Sequence, residues 1–270
     1  MARTHGVTPA TAAWRTAALI ALPVLALAFS TVVTILAVDR LERFLVESPR
    51  FTVRGVRGGL PTLRIEGVHR MPVEKVQAIF AGDAGRSLYL VPIAQRRDSL
   101  RSLSWVRDAS VARIWPNEVR VQVWERTPVA RAQLPSMGRA GVWRTMLVDG
   151  EGVLLEPPRH DRHDLPVLAG LRVDQSLEAR RERVTRMQEL LAEAGEYAPR
   201  LSEIDATAPD NLRVTLKVED KAYVLVLGGD KFAQRLATFF KYYAEIRRRL
   251  PDAATLDLRL DDRIAVVKED

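Results

Sequence analysis

An uncharged apolar run near the amino terminus dominates the hydrophobic pattern of the chain. It extends from Ala17 to Val38, and at about 1.5 Å of rise per residue a helix of that length crosses a hydrocarbon layer of about 30 Å. Pro23 lies inside the run, and transmembrane helices tolerate such a proline. The pattern predicts one transmembrane helix at 17–38, preceded by a tail at 1–16 and followed by a charged connector at 39–59.

Two questions about this helix stay open on the residues alone. Leu25–Ala28 resembles a small-residue cleavage site, so a cleaved signal peptide is the alternative to a permanent anchor. The uninterrupted apolar character from Phe29 to Val38 favours the anchor. The basic residues do not fix the orientation. They lie on both sides of the run, at Arg3 and Arg15 before it and at Arg40, Arg43 and Arg50 after it.

Beyond an extended linker at Phe51–Leu60, the spacing of apolar positions changes between the strand period of two and the helix period of about 3.6. The predicted order is β-α-α-β-β. Its elements are a strand at 63–66, helices from Pro72 to about Gly82 and from Ile93 to Leu103, and a hairpin with strands at 106–113 and 119–124 around the turn Trp115–Glu118.

The second half of the chain predicts a larger set of strands with two long helices. A hairpin is predicted around Asp149–Gly152, because its glycines permit positive φ. The other predicted elements are a short extended piece at 165–168, a helix capped by Ser176 and ended by Gly195, strands at 201–206, 212–218 and 222–227, a helix at 230–250, and a hairpin of 255–260 with 263–267 across Asp261–Asp262. The fold class is therefore α+β.

Composition narrows the possible chemistry. The chain has no cysteine, which excludes disulfides and thiolate chemistry. Its 41 basic against 34 acidic residues fit solvated helix faces, with attraction to an anionic lipid surface as the alternative. No basic patch is interleaved with aromatic residues, so nucleic-acid binding is not predicted.

Nothing in the sequence converges into a catalytic, cofactor or metal site. His160 and His163 have the spacing of some metal pairs, but no third ligand cluster accompanies them. Gly228–Lys231 precedes a helix without the spacing of a phosphate-binding loop, and therefore predicts a strand-to-helix turn. Asp261 and Asp262 occupy a predicted tight turn, where acidic residues are favoured. We expect no enzyme activity, no cofactor, no metal and no small-molecule substrate.

Several motifs resemble those of the FtsQ/DivIB family of bacterial cell-division proteins. The most specific is the pattern W-V-x-x-A-x-V-x-R-x-W-P-x-x-V at Trp105–Val119. The remaining matches are Gly85–Tyr89, Glu125–Ala130, Leu147–Val153, Leu165–Gly170 and Leu256–Leu260. Together the matches extend in the expected order over about 85% of the chain.

The resemblance implies a bitopic protein of the cytoplasmic membrane. Its tail is expected in the cytoplasm, and its folded part in the periplasm, enriched at the division septum. That part is expected to comprise a POTRA domain at 60–127 and an antiparallel β domain with packed helices at 128–270. In the family the protein is a non-enzymatic scaffold that binds FtsB and FtsL and meets other divisome components. A POTRA-bearing factor for polypeptide export or outer-membrane assembly is the alternative.

The resemblance also implies where a partner binds, namely by adding a strand to the carboxy-terminal edge of the sheet. The expected site residues are Leu256, Leu258 and Leu260 on one strand and Ile264, Ala265, Val266 and Val267 on the next. An unpaired strand edge offers main-chain donors and acceptors to an incoming strand. The sequence departs from the family pattern at Leu260, where a tyrosine is usual, and at Lys268, where an aromatic residue is frequent.

Overall fold

The computed structural model describes residues 10–54, 62–135, 142–158, 164–260 and 262–267, and for residues 10–21 the backbone alone. Its helices are α1 Ala10–Glu47, α2 Val73–Phe80, α3 Ile93–Arg101, α4 Leu177–Ala194 and α5 Phe232–Arg249. Its strands are β1 Leu63–Glu66, β2 Val106–Ile114, β3 Glu118–Glu125, β4 Pro128–Pro135, β5 Trp143–Asp149, β6 Leu154–Leu155, β7 Val167–Ala169, β8 Leu201–Asp205, β9 Leu212–Val218, β10 Lys221–Gly228, β11 Thr255–Asp257 and β12 Ala265–Val266. The predicted α+β class is confirmed.

Helix α1 is long and apolar enough to cross a membrane from Leu22 onward, and its apolar segment is not covered by other parts of the described chain. Two of its hydroxyls bond within the helix, because Thr31 and Thr34 each donate to the carbonyl four residues earlier at 2.8 Å. The helix continues past the apolar run and ends at Glu47, before Pro49. This end agrees with the restriction that proline places on the residue before it.

Contacts divide the chain into two compact units. The first comprises the described residues within 1–66, 74–97 and 110–122. The three-stranded sheet has the order β1-β3-β2, and Leu63 to Glu66 of β1 pair in parallel with Val119 to Gln122 of β3. The observed order of elements is the predicted β-α-α-β-β. The buried apolar side chains of the first unit are Val53, Val76, Phe80, Leu88, Val91, Val111, Val119 and Val121.

The second unit comprises residues 67–73 and 98–109 and the described residues from 123 onward. Its sheet has nine strands in the order β12-β11-β10-β9-β8-β7-β4-β5-β6. The predicted antiparallel sheet is a mixed one: β10 pairs with β11, β7 with β8 and β4 with β7 in parallel. The buried faces of α4 and α5 join one core with β4 and β8 to β11. Ser176 and Gly195 bound α4, as predicted.

The carboxy-terminal hairpin differs from its prediction. The strands predicted at 255–260 and 263–267 are shorter, since β11 ends at Asp257 and β12 has two residues. The Arg259 amide donates to the Asp257 carboxylate at 3.0 Å, and its guanidinium donates to the same group at 2.6 and 2.9 Å. This local turn diverts the chain from the strand direction. Asp261 of the predicted turn lies outside the described residues, as do residues 55–60 of the predicted linker.

Candidate functional site at the sheet edge

The edge of the larger sheet is positioned by a β-α-β crossover. Strand β10 leads into α5, which returns to β11, and β11 lies parallel to β10 with Val224 opposite Thr255. The buried face of α5 carries Phe232, Leu236, Phe239 and Ile246. Leu256 of β11 is buried in the same core. The crossover therefore fixes β11 through hydrophobic packing as well as through its ladder.

Strand β12 is the outermost strand, paired antiparallel to β11 with Leu256 opposite Val266. The Val267 amide donates to the Thr255 carbonyl at 3.0 Å. Because bonded and non-bonded pairs alternate in an antiparallel ladder, the amide and carbonyl of Val266 point away from β11. That residue therefore offers a donor and an acceptor to a further strand.

A buried arginine of α5 supports the segment between β11 and β12. Arg235 is 9% exposed. Its guanidinium donates to the Leu227 carbonyl, to the Asp230 carbonyl at 2.6 Å and, more weakly, to the Arg259 carbonyl at 3.4 Å. It also contacts the exposed carboxylate of Asp230 at 2.8 Å. One cation thus joins the end of β10, the start of α5 and the turn after β11.

A groove of about 480 Å³ lies between α5 and the segment that leads to β12. Tyr242 and Leu250 line its helical side, and Leu258, Leu260 and Ile264 line the other side. Tyr242 is 42% exposed and Leu260 is 49% exposed. Ile264 is the residue of the edge segment that lines this groove, whereas Val266 and Val267 line a neighbouring depression with Pro251 and Ala253.

Several charged side chains around the edge form ion pairs with one another. The Arg259 guanidinium holds the pKa of the Asp257 carboxyl below its usual value, chiefly through their hydrogen bonds. The last turn of α5 carries Arg247, Arg248 and Arg249, which complement the negative end of the helix dipole. Arg249 also contacts Glu245 one turn earlier at 2.9 Å. The last turn of α5 therefore brings a local cluster of three basic side chains close to the edge.

The residues predicted to bind a partner fall into three groups by their exposure. Leu256 and Leu258 are buried, so they support the edge from beneath and do not form its surface. Leu260, Val266 and Val267 are exposed. Ile264 and Ala265 are half-buried. Lys268 lies outside the described residues.

Sequence reasoning missed three residues of this site. Tyr242 and Arg235 belong to the helix predicted at 230–250, and no role in the site was predicted for either residue. Arg235 follows the buried Phe232 by three residues, which places its side chain on the core face and could have identified it as a buried cation. The Asp257 bond to the turn after β11 carries no recognisable sequence signal.

The other residues singled out in the sequence have structural roles or lie outside the described ranges. Gly228–Lys231 forms the strand-to-helix turn predicted for it, with Lys231 immediately before α5. Trp105 is buried, and its indole donates to the Glu156 carbonyl at 2.8 Å. Within the described ranges no three histidine, aspartate or glutamate side chains cluster as metal ligands. His160 and His163 lie outside those ranges.

Two family profiles match the chain. Residues 60–126 match the FtsQ-type POTRA domain, and residues 141–259 match the carboxy-terminal region of the cell division protein FtsQ/DivIB. The first match contains the three-stranded sheet, and the second ends in the turn after β11. Together they place both compact parts of the sequence in one family of proteins.

Curated relatives carry the same name, "Cell division protein FtsQ". The relative from Koribacter versatilis is 34% identical over 209 residues, which are 75% of this chain and 58% of that protein. The relative from Novosphingobium aromaticivorans is 31% identical, with 75% and 59% covered. The relative from Xanthomonas campestris pv. campestris is 27% identical, with 78% and 70% covered. The match to the first two thus spans just under three-fifths of their length.

Proposed function

The chain belongs to the FtsQ/DivIB family of cell-division proteins, and we propose that it acts as a membrane-anchored, non-enzymatic scaffold of the bacterial division machinery. In this proposal α1 crosses the cytoplasmic membrane, with residues 1–16 in the cytoplasm and the two folded domains, at 60–127 and 128–270, in the periplasm at the septum. The scaffold binds FtsB-like and FtsL-like division proteins. The feature that supports this scaffold role most directly is the open edge at β12.

The mode of binding that we propose is addition of a partner strand to β12. The outward amide and carbonyl of Val266 supply main-chain bonds, and the adjoining groove receives alternate side chains of the added strand. Its exposed tyrosine and leucines suit apolar or aromatic anchors. The arginines at the end of α5 favour a partner with acidic residues beside the strand, so binding is expected to weaken as salt increases.

The experiment replaces Val266 with proline in the full chain. Proline removes the outward amide, and because that amide does not bond to β11, the ladder within the protein is preserved. We expect Val266→Pro to weaken capture of the FtsB-like partner strongly. Val266→Ala is the matched control, since it shortens the side chain and keeps the amide. Unchanged binding of the proline variant, with its circular dichroism spectrum intact, would contradict strand addition.

A cellular experiment tests the scaffold role itself. Depletion of the protein is expected to give filamentous cells with unfinished septa, because later division proteins lose their attachment. Normal division together with defective outer-membrane proteins would instead identify a POTRA-bearing assembly factor. This experiment does not depend on the strand edge, so the two parts of the proposal fail separately.

A further inference from the structure

The end of α1 and the segment that follows it are held against the rest of the first unit by hydrogen bonds. The Ser87 hydroxyl donates to the Leu45 carbonyl at 2.6 Å. The Val53 amide donates to the Arg86 carbonyl, and the Gly85 amide donates to the Val53 carbonyl, both at 2.8 Å. The helix end is therefore connected to the rest of the first unit by hydrogen bonds as well as by the chain.

Aromatic rings add contacts at this junction between the end of α1 and the rest of the first unit. The Phe51 ring contacts Phe44 of α1 at 5.7 Å between centroids and Trp115 of the β2–β3 turn at 5.3 Å, both edge to face. The Arg113 guanidinium donates to the Leu88 carbonyl at 2.9 Å and to the Val91 carbonyl at 2.6 Å. These contacts fix the 3-10 turn Leu88–Leu90 and the hairpin turn close to the helix.

The position of the junction along α1 gives its height above the bilayer. Val38 is the last residue of the apolar run, and Phe44 and Leu45 follow it by six and seven residues. At 1.5 Å per residue they lie about 9–10 Å beyond it along the helix axis. The headgroup layer on each side of the hydrocarbon core is roughly 5–8 Å thick. For an untilted helix the junction therefore lies about 1–5 Å beyond the headgroup layer, a distance that a side chain can span.

The surface of the first unit at this height has the composition of a membrane interface. Tyr89, Leu90 and Trp115 are 41%, 48% and 49% exposed. Arg86 is exposed three residues before Tyr89, and Arg50 is exposed next to Phe51, whose ring contacts Trp115. Tyrosine and tryptophan are enriched at headgroup level, where one end of the side chain is apolar and the other is polar. Arginines add attraction to anionic lipids.

We propose that the turn Leu88–Leu90 and Trp115 form a lipid-contact surface that seats the first unit on the headgroup layer around its own helix. The occupant is lipid because the helix that carries this surface places it beside the bilayer at all times. This inference rests on α1 crossing the membrane, a part of the proposed function, but it does not require partner binding. Lipid contact at this surface would fix the orientation of the first unit relative to the membrane, whereas a flexible tether would allow many orientations.

The chain contains no cysteine, so single-cysteine variants of the full chain report from one position each. We place Leu90→Cys, labelled with an environment-sensitive fluorophore, in vesicles of phosphatidylethanolamine and phosphatidylglycerol that contain headgroup-nitroxide phosphatidylcholine. The probe is expected to lose at least half of its emission. Arg120→Cys is the matched control, at an exposed position on β3 beyond the hairpin turn, and its probe is expected to retain most of its emission.

A third probe separates the membrane anchor from the lipid contact. Ala28→Cys lies in the middle of the apolar run, and acyl-chain nitroxide is expected to quench it strongly. Quenching at Ala28 without quenching at Leu90 would overturn the lipid-contact surface and leave the anchor in place. Equal quenching at Leu90 and Arg120 would also overturn it, because the contact would then not be local. An unquenched probe at Ala28 would overturn the anchor and this inference together.

Discussion

Replacement of Arg235 by methionine tests whether this buried cation stabilises the carboxy-terminal edge. Methionine retains the packing of the apolar stem, so the change chiefly removes the guanidinium and its bonds to the Leu227 and Asp230 carbonyls. Two bonds from a charged donor contribute roughly 3 kcal/mol. The ion pair with Asp230 adds little, because that carboxylate is 70% exposed.

One opposing effect reduces the expected loss. The Nε of Arg235 is buried and has no hydrogen-bond acceptor among the described residues, and removal of an unsatisfied buried donor returns about 1 kcal/mol. The net destabilisation is therefore about 2 kcal/mol, which corresponds to a decrease in melting temperature of roughly 4–8 °C for a unit of this size.

Thermal unfolding of the full chain in nanodiscs, followed by circular dichroism, measures this difference. Arg249→Met is the matched control on the same helix, since Arg249 is 68% exposed and has one surface ion pair. Its expected cost is within about 0.5 kcal/mol. Equal melting temperatures for the two variants would refute the assignment of Arg235 as a structural support of the edge.

Two further substitutions have outcomes set by local geometry. Gly170→Ala is expected to destabilise the larger unit more than Gly195→Ala in urea unfolding. Both glycines have positive φ, but a Cβ at Gly170 would overlap the backbone of Thr207, whose Cα would lie 2.6 Å away, whereas a Cβ at Gly195 would have no neighbouring atom within 4 Å. Equal losses of unfolding free energy would show that backbone strain alone determines the effect. The pKa of Asp257 is lowered by Arg259, so its contribution to stability is present above the ordinary carboxyl pKa of about 3.9 and is lost as pH falls through the lower folded value. Asp257→Asn is therefore expected to flatten the acid side of the stability profile, and an unchanged profile would contradict this.

Local patterns predicted most elements because periodicity and end signals agreed. The helix from Ser176 to Gly195 is an example: the Ser176 hydroxyl accepts from the Ala179 amide at 3.1 Å, and apolar residues recur at helical spacing. Strand β4 was not predicted, although Ala130, Ala132 and Leu134 alternate as buried positions. Because alanine is a weak strand former and only weakly hydrophobic, this alternation did not predict a strand.

Local sequence patterns could not predict which strands pair when those strands are distant in the sequence. Strand β7 lies between β4 and β8, parallel to both, and no turn connects such partners directly. The edge position of β12 likewise depends on the crossover through α5 rather than on its own two residues. The resemblance to a family indicated the edge, whereas the groove and the contacts of Arg235 depend on side chains that meet only in the folded chain.

The shortness of β12 limits what main-chain bonding can contribute to partner binding. Val266 offers one outward donor and one outward acceptor, and continuation of the alternation to Ile264 adds another pair. Four bonds at about 1 kcal/mol each give roughly 4 kcal/mol, which association entropy of at least that size cancels. A short edge also resists pairing with other copies of the chain. Stable binding therefore needs the groove, where the exposed side chains of Tyr242 and Leu260 supply apolar contact that the two-residue strand cannot.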